Sequence, residues 1–104
     1  MEHRTVFYRA FVFSLLLLAA AVAQAGNPQR GHQIYLERCA GCHGVTGFPT
    51  MSAVPAFGRG EGMMKPDDEL VAFVKRGMAV MPGYEGILTD QEIRDTLAYI
   101  RTLF

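Results

Sequence analysis

Two cysteines separated by two residues and followed directly by a histidine constrain this chain more than any other feature. The run is Cys39-Ala40-Gly41-Cys42-His43, and the 104 residues contain no further cysteine. This spacing is typical of a site at which a c-type haem is covalently attached. Two thiols on one helical turn can each bond a different vinyl group of one porphyrin. His43 then lies under the ring, where a proximal histidine binds the iron.

Other uses of the same spacing are a redox-active dithiol, half of a zinc site or a structural disulfide. A structural zinc ion needs four ligands, and the sequence has no second C-x-x-C and no H-x-x-x-H. A thioredoxin-like dithiol is expected near a βαβ pattern, and no stretch of this chain shows convincing strand periodicity. The sequence therefore favours covalent haem attachment through Cys39 and Cys42, with His43 as an iron ligand.

Residues 1–25 have the pattern of a secretory signal peptide. Arg4 and Arg9 precede an apolar run from residue 10 to residue 23, and Ala23-Gln24-Ala25 offers a small-x-small cleavage site. The run is shorter than the roughly 20 apolar residues that cross a bilayer. We expect export to the periplasm and a mature domain of residues 26–104. The alternative is an uncleaved segment that anchors the domain to the membrane.

The composition of the mature domain excludes one class of partner. Without Arg4, Arg9 and Glu2, eight basic and nine acidic residues remain, so the net charge is −1. No basic stripe is present, and nucleic acid is not an expected partner. A domain this small is close to the limit at which an apolar core alone suffices. A covalently held haem would supply the missing apolar surface.

Helix signals divide the mature domain into three main helices. The first has Asn27 as its N-cap and Pro28 at its first position, and it runs to about Cys39 or Ala40. A second helix follows Pro66, starts with three acidic residues and ends before Gly77. The third begins with a capping box, Thr89-Asp90-Gln91-Glu92. Its apolar stripe is formed by Ile93, Leu97, Ile100 and Leu103.

Two long segments rich in glycine and proline separate these helices, one after His43 and one from Met78 to Gly86. We therefore predict an all-α fold with three main helices and two long loops. Gly31 lies inside the first helix, where glycine costs about 1 kcal/mol relative to alanine. We expect another helix to approach closely at that residue.

A six-coordinate haem needs a second ligand opposite His43. The candidates are Met51, Met63, Met64, Met78, Met81, His32 and Lys65. Met81 is favoured because Pro82 stiffens its loop and because 38 residues separate it from His43, enough chain to pass around the ring. We expect the other four methionines to fill the core. His32 precedes Cys39 by only seven residues, and we expect it to be an ordinary exposed histidine.

With these residues in place, residues 28–104 resemble a class I cytochrome c of the small bacterial type. Beyond the cysteine motif, Met81-Pro82 and the run from Leu88 to Ile93 resemble the distal-ligand loop that leads into the last helix of that family. Gly31 and Tyr35 match the glycine and the aromatic residue at which the family's first helix crosses the last, opposite Ala98-Tyr99-Ile100. Thr96 departs from the family's bulky aliphatic residue at that crossing, and the chain has no tryptophan.

The resemblance also implies further roles at the site. It implies that the carbonyl of Pro55, rather than that of Pro49, accepts a hydrogen bond from His43 and fixes its tautomer. The haem-binding residues are thus expected to be Cys39, Cys42, His43, Met81 and Pro55, with His43 and Met81 on the iron.

An iron with two protein ligands has no open position for a substrate, so we expect an electron carrier and not an enzyme. The expected cofactor is one covalent haem c per chain. The expected partners are a redox donor and a redox acceptor that dock transiently on a monomer. Two alternatives are open: a haem protein that binds a gas or peroxide because Met81 does not ligate, and an accessory cytochrome of a periplasmic reductase such as nitrite reductase.

Overall fold

The computed structural model describes residues 3–12 and 26–104. Residues 3–12 are helical, and the rest of the predicted signal peptide lies outside the described residues. Within the described ranges, no helix combines the length and the apolar character needed to span a membrane.

The first helix of the domain, α1, spans Pro28–Arg38. Its start follows from local chemistry, because the Asn27 side chain accepts hydrogen bonds from the backbone N–H groups of Gln29 and Arg30, at 3.0 and 3.2 Å. These are donors that have no partner within a helix. The helix ends one residue earlier than the sequence suggested, and a single turn, α2, follows at Ala40–His43.

The chain then runs through a long loop that contains a turn of 3-10 helix at Phe57–Arg59. The next helix, α3, spans Asp67–Arg76 and ends at Gly77, whose φ of 71° favours glycine. Its buried residues are Leu70 and Val71, and Phe73 and Val74 are half-buried.

The last helix, α4, spans Asp90–Ile100 and has the predicted capping box. The Thr89 hydroxyl accepts from the Glu92 N–H at 3.1 Å, and the Glu92 carboxylate accepts from the Thr89 N–H at 3.0 Å. Ile93, Leu97 and Ile100 are buried as predicted, and Leu103 is half-buried beyond the end of the helix. The all-α fold with three main helices and two long loops is confirmed.

Helices α1 and α4 cross where Gly31 meets the backbone of Asp95 and Thr96 so closely that a Cβ atom at residue 31 would overlap the Asp95 carbonyl oxygen. Tyr35 is fully buried one turn further on, with its ring 5.2 Å from that of Tyr99. The close approach expected at Gly31 is therefore present, and it sets the position at which α1 delivers the cysteine motif.

Candidate functional site

The cysteine motif occupies one helical turn that is joined directly to α1. The Cys39 N–H donates to the Tyr35 carbonyl at 2.9 Å, and the His43 N–H donates to the Cys39 carbonyl at 3.0 Å. Residues three apart on a helix lie on one side of it, so Cys39 and Cys42 face the same region. Both are free thiols; Cys39 is half-buried and Cys42 is exposed.

Burial controls the chemistry of the first thiol. It raises the pKa of Cys39 to about 11, and the neighbouring charge of Cys42 adds to the rise. At neutral pH Cys39 is therefore a thiol rather than a thiolate, and it is poorly suited to bind a metal or to attack a disulfide. No cluster of three or more His, Cys, Asp or Glu side chains that could hold a metal ion is found in residues 3–12 and 26–104.

His43 is buried and held on two sides. Its Nδ1 lies 3.3 Å from the carbonyl oxygen of Pro55, and its ring stacks on Phe57 with the centroids 4.3 Å apart and the planes 12° apart. A carbonyl oxygen can only accept, so the contact is a hydrogen bond in the tautomer that carries its proton on Nδ1. That tautomer leaves the lone pair on Nε2, which is the form that a metal binds.

The electrostatics of His43 agree with this form. Burial lowers the pKa of His43, and the hydrogen bond to Pro55 partly opposes that shift. The imidazole is therefore neutral at physiological pH, as ligation requires.

The position of the Pro55 carbonyl depends on the residue that follows it. The Ala56 N–H donates to the Glu61 carboxylate at 2.7 Å, and Arg59 donates to the same carboxylate at 3.2 Å. These hydrogen bonds lower the pKa of Glu61. Glu61 thus fixes the loop that carries Pro55, whose carbonyl contacts His43. Nothing in the sequence around Glu61 indicates this role.

Met81 lies in a tight turn after α3. Its N–H donates to the Met78 carbonyl at 2.9 Å, and the Met78 N–H donates back to the Met81 carbonyl at 3.1 Å. Ala79, inside the turn, has a φ of 53°. The Met81 side chain is half-buried, so it is neither part of the core nor free in solvent.

Tyr84 links this turn to the cysteine motif. Its hydroxyl donates to the carbonyl oxygen of Arg38, the residue before Cys39, at 2.9 Å. Burial raises the pKa of Tyr84, and the neighbouring thiols of Cys39 and Cys42 add to the rise while Arg38 opposes it. The structure therefore brings Cys39, Cys42, His43 and Pro55 together, and it brings the Met81 loop to the end of the helix that carries them.

The remaining candidates for the second ligand behave differently. His32 is exposed as expected and stacks on Tyr99, with the ring centroids 4.5 Å apart. Met63 fills the core as expected, at 3% exposed. The same expectation is wrong for Met51, Met64 and Met78, whose exposed fractions are 45%, 91% and 65%. All three lie in loops outside the helices, and their side chains face solvent.

The donor set fits a covalently held haem. Two unbridged thiols share one helical turn, and a neutral imidazole with a fixed tautomer follows them directly. A half-buried thioether lies on the loop that Tyr84 ties to the same turn.

Comparison with known proteins gives relatives for nearly the whole chain. A sequence family described as cytochrome c oxidase, cbb3-type, subunit III, matches residues 26–100. The chain is 29% identical over 107 residues to cytochrome c6 of Thermosynechococcus vestitus, a match that covers 96% of this chain and 91% of that protein. It is 32% identical over 111 residues to a nitrite reductase of Stutzerimonas stutzeri, covering 86% of this chain but only 20% of the reductase.

The fold has a counterpart among solved structures. The KustC0563 c-type cytochrome superposes with a TM-score of 0.62 at 25% identity, over 70% of this chain and 95% of that one. Together with the cysteine motif and the all-α fold, these matches place the chain in the family described as cytochrome c oxidase, cbb3-type, subunit III, and it is a small class I c-type cytochrome.

Proposed function

We propose that this chain is a periplasmic monohaem cytochrome that carries single electrons between a donor and an acceptor protein. Membership of the c-type family implies a covalently bound haem c, and we assign its attachment to Cys39 and Cys42 and its axial ligands to His43 and Met81. A haem held there supplies an iron that takes up and releases one electron.

The observation that carries this proposal is the environment of His43. The Pro55 carbonyl holds the proton on Nδ1, Phe57 fixes the ring plane, and burial keeps the imidazole neutral. A ligand restrained in this way keeps its position when the charge of its metal changes. Such restraint suits electron transfer, which is fast when little atomic movement accompanies it.

Met81 is the second ligand in this proposal. Its turn is closed by two backbone hydrogen bonds, and Gly77 and Gly83 let that turn lie close against the end of α3. A Cβ atom at Gly83 would come within 2.8 Å of the carbonyl oxygens of both Lys75 and Arg76. The thioether therefore sits on a supported loop, and thioether ligation favours the reduced iron relative to a second histidine.

Three comparisons support the role of a carrier. Proteins named cytochrome c6 match over 96% of the chain in one case and 67% in another, and a solved c-type cytochrome shares the fold. With both axial positions taken by protein side chains, no position is left for a substrate, so we propose that the chain is not itself an enzyme. Its partners are redox proteins that dock transiently.

The periplasmic location rests on residues 1–25. The basic start, the apolar run and the small-x-small site have the pattern of a signal peptide. The family match begins at residue 26, and Gly26 already packs against α4, where a Cβ atom would overlap the Arg94 carbonyl oxygen. Mass spectrometry of the exported protein should give an N-terminus at Gly26; an intact residue 1 would show an uncleaved membrane anchor instead.

The first test is an optical spectrum of the purified haem protein. A methionine thioether bound to ferric iron gives a weak charge-transfer band near the red end of the visible spectrum. This band is expected in the wild type and in Met78→Ala, and it should be absent in Met81→Ala. Met78 is the matched control because it lies in the same turn and is 65% exposed. If the wild type lacks the band and its ferrous form binds CO readily, the iron is open and the chain binds gases or peroxide instead.

A second candidate function is favoured by the match to the nitrite reductase of Stutzerimonas stutzeri. The chain corresponds to one fifth of that enzyme's length. An accessory cytochrome that delivers electrons to a separate reductase would therefore resemble one portion of a fused enzyme. Rapid mixing of the reduced chain with a purified periplasmic nitrite reductase tests this role. Oxidation of this chain should be faster than oxidation of an unrelated c-type cytochrome used as the control, and equal rates would contradict the role.

A further inference from the structure

The hydroxyl of Tyr84 makes a hydrogen bond that joins the two halves of the haem site. It donates to the Arg38 carbonyl oxygen at 2.9 Å, across 46 residues of chain. Arg38 is the last residue of α1, and the final carbonyl groups of a helix have no partner within that helix. The phenol therefore satisfies a backbone acceptor immediately before Cys39.

The remaining hydrogen bonds of the Met81 loop point to another part of the fold. The N–H groups of Tyr84 and Glu85 donate to the carbonyls of Val74 and Lys75 on α3, at 3.0 and 3.1 Å. Among residues 26–104, the Tyr84 hydroxyl makes the one hydrogen bond between residues 78–88 and the segment that runs from α1 through His43. Without it, the loop is tied by hydrogen bonds to α3, whereas the haem would be tied to α1 and α2.

We propose that Tyr84 is a positioning residue that sets the distance between the Met81 thioether and the haem attached at Cys39 and Cys42. The inference rests on the proposed function, since it takes Met81 as the second iron ligand. Phenylalanine at this position would provide the same apolar ring but would leave the Arg38 carbonyl without its partner. Tyr84→Phe keeps the half-buried ring and removes only the hydroxyl, so it isolates the hydrogen bond to Arg38.

The consequence is measurable as the fraction of molecules in which Met81 has left the iron. An added ligand such as imidazole binds only those molecules, and its apparent affinity scales with their fraction. Loss of one neutral hydrogen bond changes an equilibrium by about 2- to 12-fold. Tyr84→Phe is therefore expected to raise the apparent affinity of the ferric haem protein for imidazole by about 2- to 12-fold.

The experiment is an optical titration of the intact ferric protein with imidazole, made on wild type, Tyr84→Phe, Met81→Ala and the double variant. In the Met81→Ala background the iron is already open, so adding Tyr84→Phe should leave the affinity unchanged. Tyr99→Phe is the matched control. It removes a phenol hydroxyl that makes no hydrogen bond in the described part of the chain, and its affinity should equal that of wild type.

The outcomes separate the two claims. If Met81→Ala binds imidazole more tightly than wild type but Tyr84→Phe does not, Met81 is the ligand and the role of Tyr84 is overturned. An equal gain from Tyr84→Phe in both backgrounds also overturns it, because the hydroxyl would then limit access rather than position Met81. If wild type already binds as tightly as Met81→Ala, Met81 is not the ligand, and both the proposed ligation and this inference fail.

Discussion

The backbone of Gly31 in α1 lies against the carbonyl oxygen of Asp95 in α4 so closely that no side chain fits between them. Gly31→Ala is expected to force the two helices apart and to lower the free energy of unfolding by about 3 kcal/mol, because the obstacle is backbone and cannot rotate away. Chemical denaturation of the haem protein, followed by far-ultraviolet circular dichroism, measures this loss.

Gly41 provides the control for that substitution. It is also helical, in α2, but a Cβ atom at residue 41 would meet nothing within 4 Å. Gly41→Ala is therefore expected to leave stability unchanged or to raise it by up to about 1 kcal/mol through helix propensity. Equal losses in the two variants would show that packing at the helix crossing is not the cause.

Local signals made most of the fold predictable. The caps at Asn27 and Thr89, the stop at Gly77 and the apolar stripe on α4 each depend on residues within a few positions of one another. The spacing of Cys39, Cys42 and His43 is equally local, since all three serve one porphyrin on one helical turn. The glycine at residue 31 already indicated that another helix approaches there, but that the last helix does so came from the family resemblance.

Features set only by the path of the chain were not predictable. An aspartate is usually exposed. Asp95 is nevertheless 2% exposed, because α1 packs over it and brings the Asn27 N–H to its carboxylate. Core filling was expected of Met63 and Met64 alike, yet Met63 is 3% exposed and Met64 is 91% exposed, because the path of the loop turns only one of them toward the core. The hydrogen bond of Tyr84 spans 46 residues and leaves no sequence signal.

Asp95 gives a second stability prediction. Its Oδ1 accepts from the Asn27 N–H at 2.8 Å and from the Gln91 side chain at 2.9 Å. Asp95→Ala leaves a partly buried N–H without an acceptor and opens a small void, so we expect a loss of about 3 kcal/mol. Asp68→Ala, which removes an exposed ion pair with Arg94, should cost no more than about 1 kcal/mol. Thermal unfolding of both variants decides this, and similar costs would contradict the prediction.

Tyr35 makes stability depend on alkaline pH. Burial raises its pKa to about 12 from the ordinary value of 10, with smaller contributions from Cys39 and Tyr99. The folded state holds the phenolic proton more tightly than the unfolded state does. The stabilisation is therefore complete below pH 10 and is lost as the pH rises from 10 through about 12.

Tyr35→Phe tests this directly. The variant loses the hydrogen bond from the Tyr35 hydroxyl to the Gly44 carbonyl, which is 2.6 Å long, and should be about 1 kcal/mol less stable at pH 7. Between pH 10 and 12 its stability should fall less steeply than that of wild type. Denaturant titrations at several pH values, read by circular dichroism so that ligand exchange at the iron does not interfere, measure both effects. Parallel curves for the two proteins would assign the alkaline loss to another group.

Ala79 carries backbone strain next to Met81. Its φ of 53° lies in the left-handed region, which costs a residue with a Cβ atom about 1–2 kcal/mol. Glycine adopts this conformation without that cost but loses more entropy on folding. Ala79→Gly is therefore expected to raise the free energy of unfolding by about 0.5 kcal/mol and to leave the charge-transfer band of methionine-bound ferric iron in place.

Ala72→Gly is the control, because Ala72 is an exposed residue inside α3. This variant should instead lower the free energy of unfolding by about 1 kcal/mol. The pair is compared by thermal denaturation under identical conditions. A loss of stability in both variants would mean that the turn beside Met81 holds Ala79 without strain.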